Sequence, residues 1–380
     1  GAQATAFDKD TIDTVITLFD ADNKQIAEND DPLPRNTNDS QIMTILPKDG
    51  TYYVVVTECW TWVESKGINA SCAEPKDKPV TDYKVFVGKL NDKLSHVVLD
   101  GETGNTPAEA NVSGYGKQQS GQGYFVTRIY GTFSDDKDVD WYKLTPPTDI
   151  DTSKSQLTAS FEAHPHGKDG NGSTSPAGWA ALSLADAPTA TLAKVDLSKK
   201  GADIWTAVTG GKEYLLSIKH PGTSLGTNDF YFISHQVRGD NPLESKDATS
   251  ADPKTPEALA ESQTVSNLPG FFISGTIAEA GKDLDHYEIT IPAGYETGKI
   301  STFCTAQRAG SGLRSMTIRL LKADGSEISG AKWVEDDVKD AEIKEIPVNN
   351  EKSMILKIEA AEQAKDVSGN YYRCGTIIQK

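Results

Sequence analysis

The sequence lacks the patterns that mark several large classes of protein. No apolar run approaches the roughly 18 residues that a membrane-spanning helix needs, and no basic segment followed by an apolar one stands at the N-terminus. None of the six histidines lies in an H-E-x-x-H zinc motif or beside a G-x-S-x-G nucleophile motif. These absences predict a non-catalytic protein with no membrane-spanning segment. A hydrolase whose nucleophile and base meet only through folding is the less favoured alternative.

Positive charge is also in short supply. The chain has 38 Lys and Arg against 55 Asp and Glu, a net charge of −17 in 380 residues. A field of this sign repels phosphate backbones, so we expect no nucleic-acid partner.

Cysteine is scarce, and its spacing is informative. The four cysteines are Cys59, Cys72, Cys304 and Cys374, and no two form the C-x-x-C pair typical of structural zinc sites. Pairing neighbours predicts disulfides Cys59 to Cys72 and Cys304 to Cys374, each within one part of the chain. Such bridges indicate an oxidising compartment, whereas the alternative is four buried free thiols in a cytosolic protein.

What the sequence does contain is a repeat. Asp13 to Asp22 aligns without a gap with Ser315 to Asp324, and the same alignment places Tyr52, Val54 and Val56 on Met354, Leu356 and Ile358. A weaker copy lies between them, with strands at 179–184 and 211–218. Alternating apolar residues and turn signals predict strands, and we see no helix-length pattern. The sequence therefore predicts tandem all-β modules.

Polar, Gly- and Pro-rich stretches divide these modules. We predict a first module at 1–98, a linker at 99–110, a second module at 111–237, a linker at 238–256 and a third module at 257–380. The third repeats the opening of the second, because Asp138, Asp140 and Tyr142 align with Asp283, Asp285 and Tyr287.

These motifs resemble the bacterial pre-peptidase C-terminal (PPC) domain, a secreted module found beside peptidases. The resemblance is carried by Asp13-Thr-Val-Ile-Thr-Leu-Phe-Asp20, Asn29-Asp-Asp31 and Gly50-Thr-Tyr-Tyr-Val-Val-Val56 in the first module, and by Gly131-Thr132 and Asp138-Val-Asp-Trp-Tyr142 in the second. In the third module Asn349 to Ser353 stands where the family has Gly-Thr-Tyr. The resemblance implies tandem β-sandwiches of jelly-roll type and a non-catalytic role.

Acidic residues at the start of the second module suggest a metal site. Calcium prefers hard oxygen ligands on turns, and the collagen-binding relatives that this module resembles join linker acids to such a loop. We therefore predict calcium at Glu109, Asn111, Asp135, Asp138 and Asp140. The alternative is that these acids face water and cap turns.

Trp60 and Trp62 are the candidate ligand-binding residues. If they stand on one face of a strand beside a disulfide-closed loop, they could stack on a sugar or a protein side chain. The alternative is that both pack in a core or against a neighbouring module.

Together these features predict accessory modules of a secreted, periplasmic or cell-surface bacterial protein, such as the accessory region of a secreted peptidase. Their role would be attachment to an extracellular polysaccharide or protein matrix, or assistance in export. A structural spacer without a ligand is the alternative.

The first module is short by comparison with the third. The repeat alignment leaves it without counterparts of the strands predicted at 271–277 and 283–289. We expect the native chain to extend upstream of Gly1. We also expect the first module either to be a smaller sandwich or to close its open edge with another chain, by self-association, or with the second module.

Overall fold

The computed structural model describes part of the chain in detail. The described residues are 2–4, 12–29, 40, 42, 46, 49–67, 72, 83–88, 97–99, 104–117, 124–148, 155–164, 178–197, 203–222, 231–242, 244, 254–259, 263–265, 268–336 and 339–380. They are nearly all in strands and turns, which confirms the all-β class. The jelly-roll assignment stays a prediction. No helix in these ranges is long and apolar enough to cross a membrane.

The described residues of the first module form two small sheets and one helix. Its elements are β1 (Ala2–Ala4), β2 (Thr14–Phe19), β3 (Gln25–Asn29), β4 (Tyr53–Glu58), α1 (Cys59–Lys66) and β5 (Tyr83–Val85). One sheet has the order β3-β2-β4, and the other pairs β1 with β5. A buried cluster of Val15, Cys59 and Trp62 joins the first sheet to the helix.

The second module contains two facing sheets. Its elements are β6 (Val97–Leu99), a 3-10 turn (Pro107–Glu109), β7 (Asn111–Ser113), β8 (Gly116–Lys117), β9 (Tyr124–Gly131), β10 (Val139–Leu144), β11 (Ser155–His164), β12 (Trp179–Leu184), β13 (Ala187–Asp196), β14 (Asp203–Val208), β15 (Tyr214–Lys219) and β16 (Tyr231–Pro242). The sheets have the orders β13-β12-β15-β10-β7 and β14-β11-β16-β9-β6, with β8 beside β9. Alternate residues of β10 and β14 are buried, as expected of strands that turn one face to the core.

The third module repeats this arrangement. Its elements are β17 (Glu257–Leu259), β18 (Gln263–Val265), β19 (Leu268–Thr276), β20 (Leu284–Thr290), β21 (Lys299–Thr305), β22 (Leu313–Arg314), β23 (Thr317–Lys322), β24 (Glu327–Val334), β25 (Ala341–Pro347), β26 (Ser353–Glu359), β27 (Glu362–Gln363) and β28 (Tyr371–Gln379). The main sheets have the orders β17-β20-β26-β23-β24 and β18-β19-β28-β21-β25. The five strands of the first of these sheets and the central strands of the second have counterparts at the same places in the second module, whereas the short β22/β27 pair has no counterpart among the described residues.

The register of the strands shows the same repeat in the first module. Ile16 lies opposite Val56 in the β2/β4 pair, and Ile318 lies opposite Ile358 in the β23/β26 pair. The turn after each leading strand is also alike, because Asn23 and Gly325 both have left-handed backbone conformations with φ of 59° and 83°. The aligned segments therefore fold in the same way.

The second and third modules contact each other through backbone groups. The Trp205 N–H donates to the Ala309 carbonyl at 2.9 Å, and the Ser368 N–H donates to the Thr191 carbonyl at 2.7 Å. At Gly369 a Cβ atom would lie 1.9 Å from the Leu192 carbonyl oxygen, so only glycine allows this approach. The predicted linker at 238–256 is partly ordered structure, since β16 runs to Pro242.

Candidate functional site

The motif shared by the second and third modules forms a buried hydrogen-bonded network. In the second module the Tyr231 hydroxyl donates to Asp140 Oδ2 at 2.6 Å and also makes a short hydrogen bond with the Tyr142 hydroxyl. Asp140 and Tyr142 are fully buried, and Tyr231 is nearly so. We call these three residues the Asp-Tyr-Tyr network. It joins the two sheets of the sandwich, because Tyr231 lies on β16 and the other two lie on β10.

The third module has the same network with one additional member. The Tyr372 hydroxyl donates to Asp285 Oδ2 at 2.7 Å and lies 2.5 Å from the Tyr287 hydroxyl. Tyr287 also donates to Glu244 Oε2 at 3.2 Å, and the other oxygen of Glu244 accepts from the N–H and hydroxyl of Thr276. Burial raises the pKa of both tyrosines well above the ordinary value, so they remain neutral donors.

The glycine of the Gly-Thr pair makes room for this network. A Cβ atom at Gly131 would lie 2.1 Å from the Tyr231 hydroxyl oxygen, and one at Gly275 would lie 2.3 Å from that of Tyr372. A side chain at either position would therefore displace the tyrosine. The Gly-Thr and Asp-x-Tyr motifs thus act together to hold the sandwich.

The residues predicted to bind calcium make hydrogen bonds within the second module. Glu109 accepts from the Thr106 hydroxyl, and Asp135 Oδ1 accepts from the Lys137 N–H. Asp138 Oδ2 accepts from both the N–H and the hydroxyl of Ser134, and Asn111 lies beside Gly104 at the start of β7. Asp140 Oδ2 accepts from the Tyr231 hydroxyl. Calcium binding at these residues stays a prediction.

One group of potential metal-ligand atoms is clustered within the described ranges. The ligand atoms of Asp13, Cys59 and Cys72 lie within 4.8 Å of one another. Both sulfurs belong to a disulfide, so they cannot act as thiolate ligands. The structure joins Cys59 to Cys72 and Cys304 to Cys374, as predicted from the sequence.

The tryptophan pair does not have the predicted geometry. Trp60 and Trp62 lie in α1 and not on a strand, so residues two apart point in different directions. Trp62 is buried beside Val15 and Cys59, whereas Trp60 is 39% exposed. The prediction of a strand bearing both rings on one face is therefore wrong. The helix forms here because the Glu58 side chain accepts from the Thr61 N–H and Gly67 ends the helix with φ of 62°.

Sequence reasoning missed a buried carboxyl group near the contact between modules. Glu335 is 2% exposed, and its Oε1 accepts from the Ala306 N–H at 2.8 Å. Burial raises the pKa of Glu335 to about 7. The loop that it holds includes Ala309, whose carbonyl accepts from the second module. Glu335 thus positions a loop at the contact between modules. In the sequence, the signal for this is its place directly after the strand that ends at Val334.

Apolar side chains are exposed along the first module. Tyr53, Val54 and Val55 on β4 are each more than 40% exposed, although they lie in the middle of the aligned repeat. Further exposed apolar residues follow at and after β5, namely Tyr83, Val85, Phe86 and Val87. Exposed apolar surface of this kind is typical of sites that bind other macromolecules.

Comparisons with known proteins give one local sequence match. No protein-family model matches the chain. A stretch of 73 residues, 19% of the chain, is 38% identical to a probable subtilase-type serine protease of Deinococcus radiodurans. The match spans 10% of the length of that protease.

Several solved structures align with most of the chain, but with low sequence identity and low TM-scores. Tripeptidyl peptidase 2 aligns with 71% of this chain and 24% of its own at 7% identity and a TM-score of 0.21. Tandem CBM51 modules of a family 98 glycoside hydrolase from Streptococcus pneumoniae align with 67% of this chain and 83% of theirs, at 7% identity and a TM-score of 0.19. Alignments at this level carry no argument about function.

Proposed function

We propose that the chain forms accessory, non-catalytic modules of PPC type in a secreted or cell-surface bacterial protein. The observation that carries this proposal is the 73-residue similarity to a small part of a subtilase-type serine protease. Two disulfides and an all-β fold agree with a module exported together with such an enzyme. The Asp-Tyr-Tyr networks agree with a non-catalytic role as well, because the aspartates and tyrosines of the shared motif form buried hydrogen bonds between the sheets.

The role that we propose for the modules is attachment to an extracellular polysaccharide or protein matrix. Exposed aromatic rings can supply the contacts, since Trp60 in the first module and Trp333 in the third are 39% and 45% exposed. A spacer that holds a neighbouring domain away from a surface is the second candidate. Assistance in export is equally compatible with the fold.

Binding of the full chain to immobilised polysaccharides and matrix proteins tests attachment. We expect retention on at least one surface, and a loss of at least about fivefold in affinity for Trp60→Ala or Trp333→Ala if stacking contributes about 1 kcal/mol. Trp179, a half-buried ring with the Lys194 amino group 5.4 Å from its centroid, provides the matched control because Trp179→Ala removes no fully exposed ring. A chain that binds none of the surfaces would favour the spacer.

Calcium is a separate proposal from the sequence. If calcium binds, Asp135, Asp138 and Glu109 must exchange their present hydrogen bonds for the ion, and the melting temperature should rise when calcium is added. Asp138→Asn should reduce that rise. An equal melting temperature in calcium and in chelator would show that the chain does not bind calcium.

A further inference from the structure

The outer edge of β4 has no partner strand among the described residues, although both of its counterparts have one. By order and register β4 corresponds to β15 in the second module and to β26 in the third. There β10 and β20 lie on the far side, with Tyr142 opposite Leu216 and Tyr287 opposite Leu356. In the described part of the first module the sheet ends at β4.

Exposure of the side chains shows the same difference. Leu216 and Leu356 are fully buried, whereas Val54, which aligns with Leu356, is 44% exposed. An edge strand also presents backbone N–H and C=O groups that can pair with another strand. The edge of β4 therefore has both the apolar residues and the backbone groups of an internal strand.

The β1/β5 sheet of the first module contains a tyrosine that corresponds to one member of the Asp-Tyr-Tyr network. Gln3 lies opposite Lys84 and Ala4 opposite Tyr83 in the β1/β5 pair. Thr305, which aligns with Gln3, lies opposite Arg373 in the β21/β28 pair, so Lys84 is the counterpart of Arg373. This register makes Tyr83 the counterpart of Tyr372. Tyr372 is fully buried and donates to Asp285, but Tyr83 is 46% exposed.

We propose that the β4 edge binds an extended polypeptide segment that carries Asp-x-Tyr. The segment runs antiparallel to β4, with its tyrosine opposite Val54 and its aspartate opposite Val56, as Tyr287 and Asp285 lie opposite Leu356 and Ile358. Tyr83 then donates to the aspartate and completes a third Asp-Tyr-Tyr network. Backbone pairing supplies affinity, and the two side chains supply specificity.

Other occupants of the edge fit less well. If β4 paired with β4 of a second copy, the added strand would place valine where the networks have Asp and Tyr, and Tyr83 would gain no carboxylate. This inference goes beyond attachment to a matrix and does not rest on it, because it follows from the internal comparison of the three modules.

A synthetic peptide of residues 281–291 of this chain tests the proposal, since it contains Asp285 and Tyr287 in their native spacing. Titrated into the full chain, it should bind, and the peptide with Asp285→Ala should bind about tenfold to hundredfold more weakly, as the loss of one hydrogen bond to a charged group predicts. Tyr83→Phe in the chain should weaken the native peptide equally. Because both changes remove one interaction, the two together should cost little more than either alone.

Two variants of the chain locate the site. Val54→Glu should abolish peptide binding, whereas Val112→Glu, at a 75% exposed valine on β7 of the second module, should not. Circular dichroism checks that Val54→Glu folds, and Tyr83→Phe carries the test if it does not. The proposal is overturned if the peptide does not bind, if the Asp285→Ala peptide binds equally well, or if the chain dimerises through β4 and excludes the peptide.

Discussion

At the scale of single residues, the tyrosines of the last strands are the clearest case of position deciding role. Tyr231 and Tyr372 occupy the same place as Tyr83, yet the first two are buried beside an aspartate and Tyr83 is exposed. Tyrosine at this place therefore joins the two sheets within the second module and within the third, whereas in the first module it lies at the surface.

Replacement of these tyrosines by phenylalanine should have different effects in the three modules. Tyr231→Phe and Tyr372→Phe should each lower the free energy of unfolding by about 1–3 kcal/mol, because a buried carboxylate oxygen loses its donor. Tyr83→Phe serves as the matched control and should change it by less than about 0.5 kcal/mol. Urea unfolding measures all three. Equal small effects would show that the networks do not stabilise the fold.

The buried Glu335 should make stability depend on pH. Its pKa is about 7 in the folded chain against an ordinary 4.5, so between these values the folded chain keeps a proton that the unfolded chain releases. The free energy of unfolding should therefore fall as pH rises from 4.5 to 7, by about 3 kcal/mol at most.

Glu335→Gln should remove this dependence, because glutamine stays neutral and can still accept from the Ala306 N–H. Urea unfolding at pH 5 and pH 8 makes the comparison, with the exposed Glu362→Gln as control. A variant that keeps the full fall in stability would assign the dependence to another group.

At the scale of elements, α1 makes the two tryptophans unequal. Trp62→Ala should cost about 3–5 kcal/mol of stability because it empties the cluster with Val15 and the Cys59 disulfide. Trp60 lies two residues earlier in the same helix and is 39% exposed, so Trp60→Ala should cost less than about 1 kcal/mol. Thermal unfolding distinguishes them. Similar losses would place both rings in the core.

The strands of the repeat could be predicted from the sequence, but α1 could not. Asp13 to Asp22 and Ser315 to Asp324 alternate apolar residues between clear turns, and their registers agree. The helix has only eight residues and begins after Glu58, an uncommon N-cap, while Gly67 was the one available signal of its end.

The partners within the candidate sites were beyond sequence reasoning. Asp140 and Tyr231 are distant in the chain, and a period-two pattern gives the face of a strand but not what lies across the sandwich. The sequence therefore suggests ligands on a turn at the aspartates of the second module, although folding buries two of them. The Glu335 side chain was missed for the same reason.

At the scale of the whole molecule, the second and third modules should unfold together. Trp205 donates its N–H to Ala309 and lies under the Arg373 guanidinium, and Lys194 forms an ion pair with Asp366 at 3.4 Å. Trp205→Ala should split or broaden their common transition in calorimetry, because the largest side chain of the contact is lost. Trp333→Ala, at an exposed ring of the third module, is the control. Two separate transitions in the unmodified chain would contradict this coupling.

One sandwich is repeated along the chain, and among the described residues its first copy has an open edge at β4. Residue-resolved amide hydrogen exchange tests this directly. Alternate amides of β4 should exchange at least about 100-fold faster than those of β15 and β26, since an edge strand leaves every second N–H to solvent. Uniformly slow exchange along β4, equal to that of β26, would show that the edge is covered and that the first copy of the sandwich is not open there.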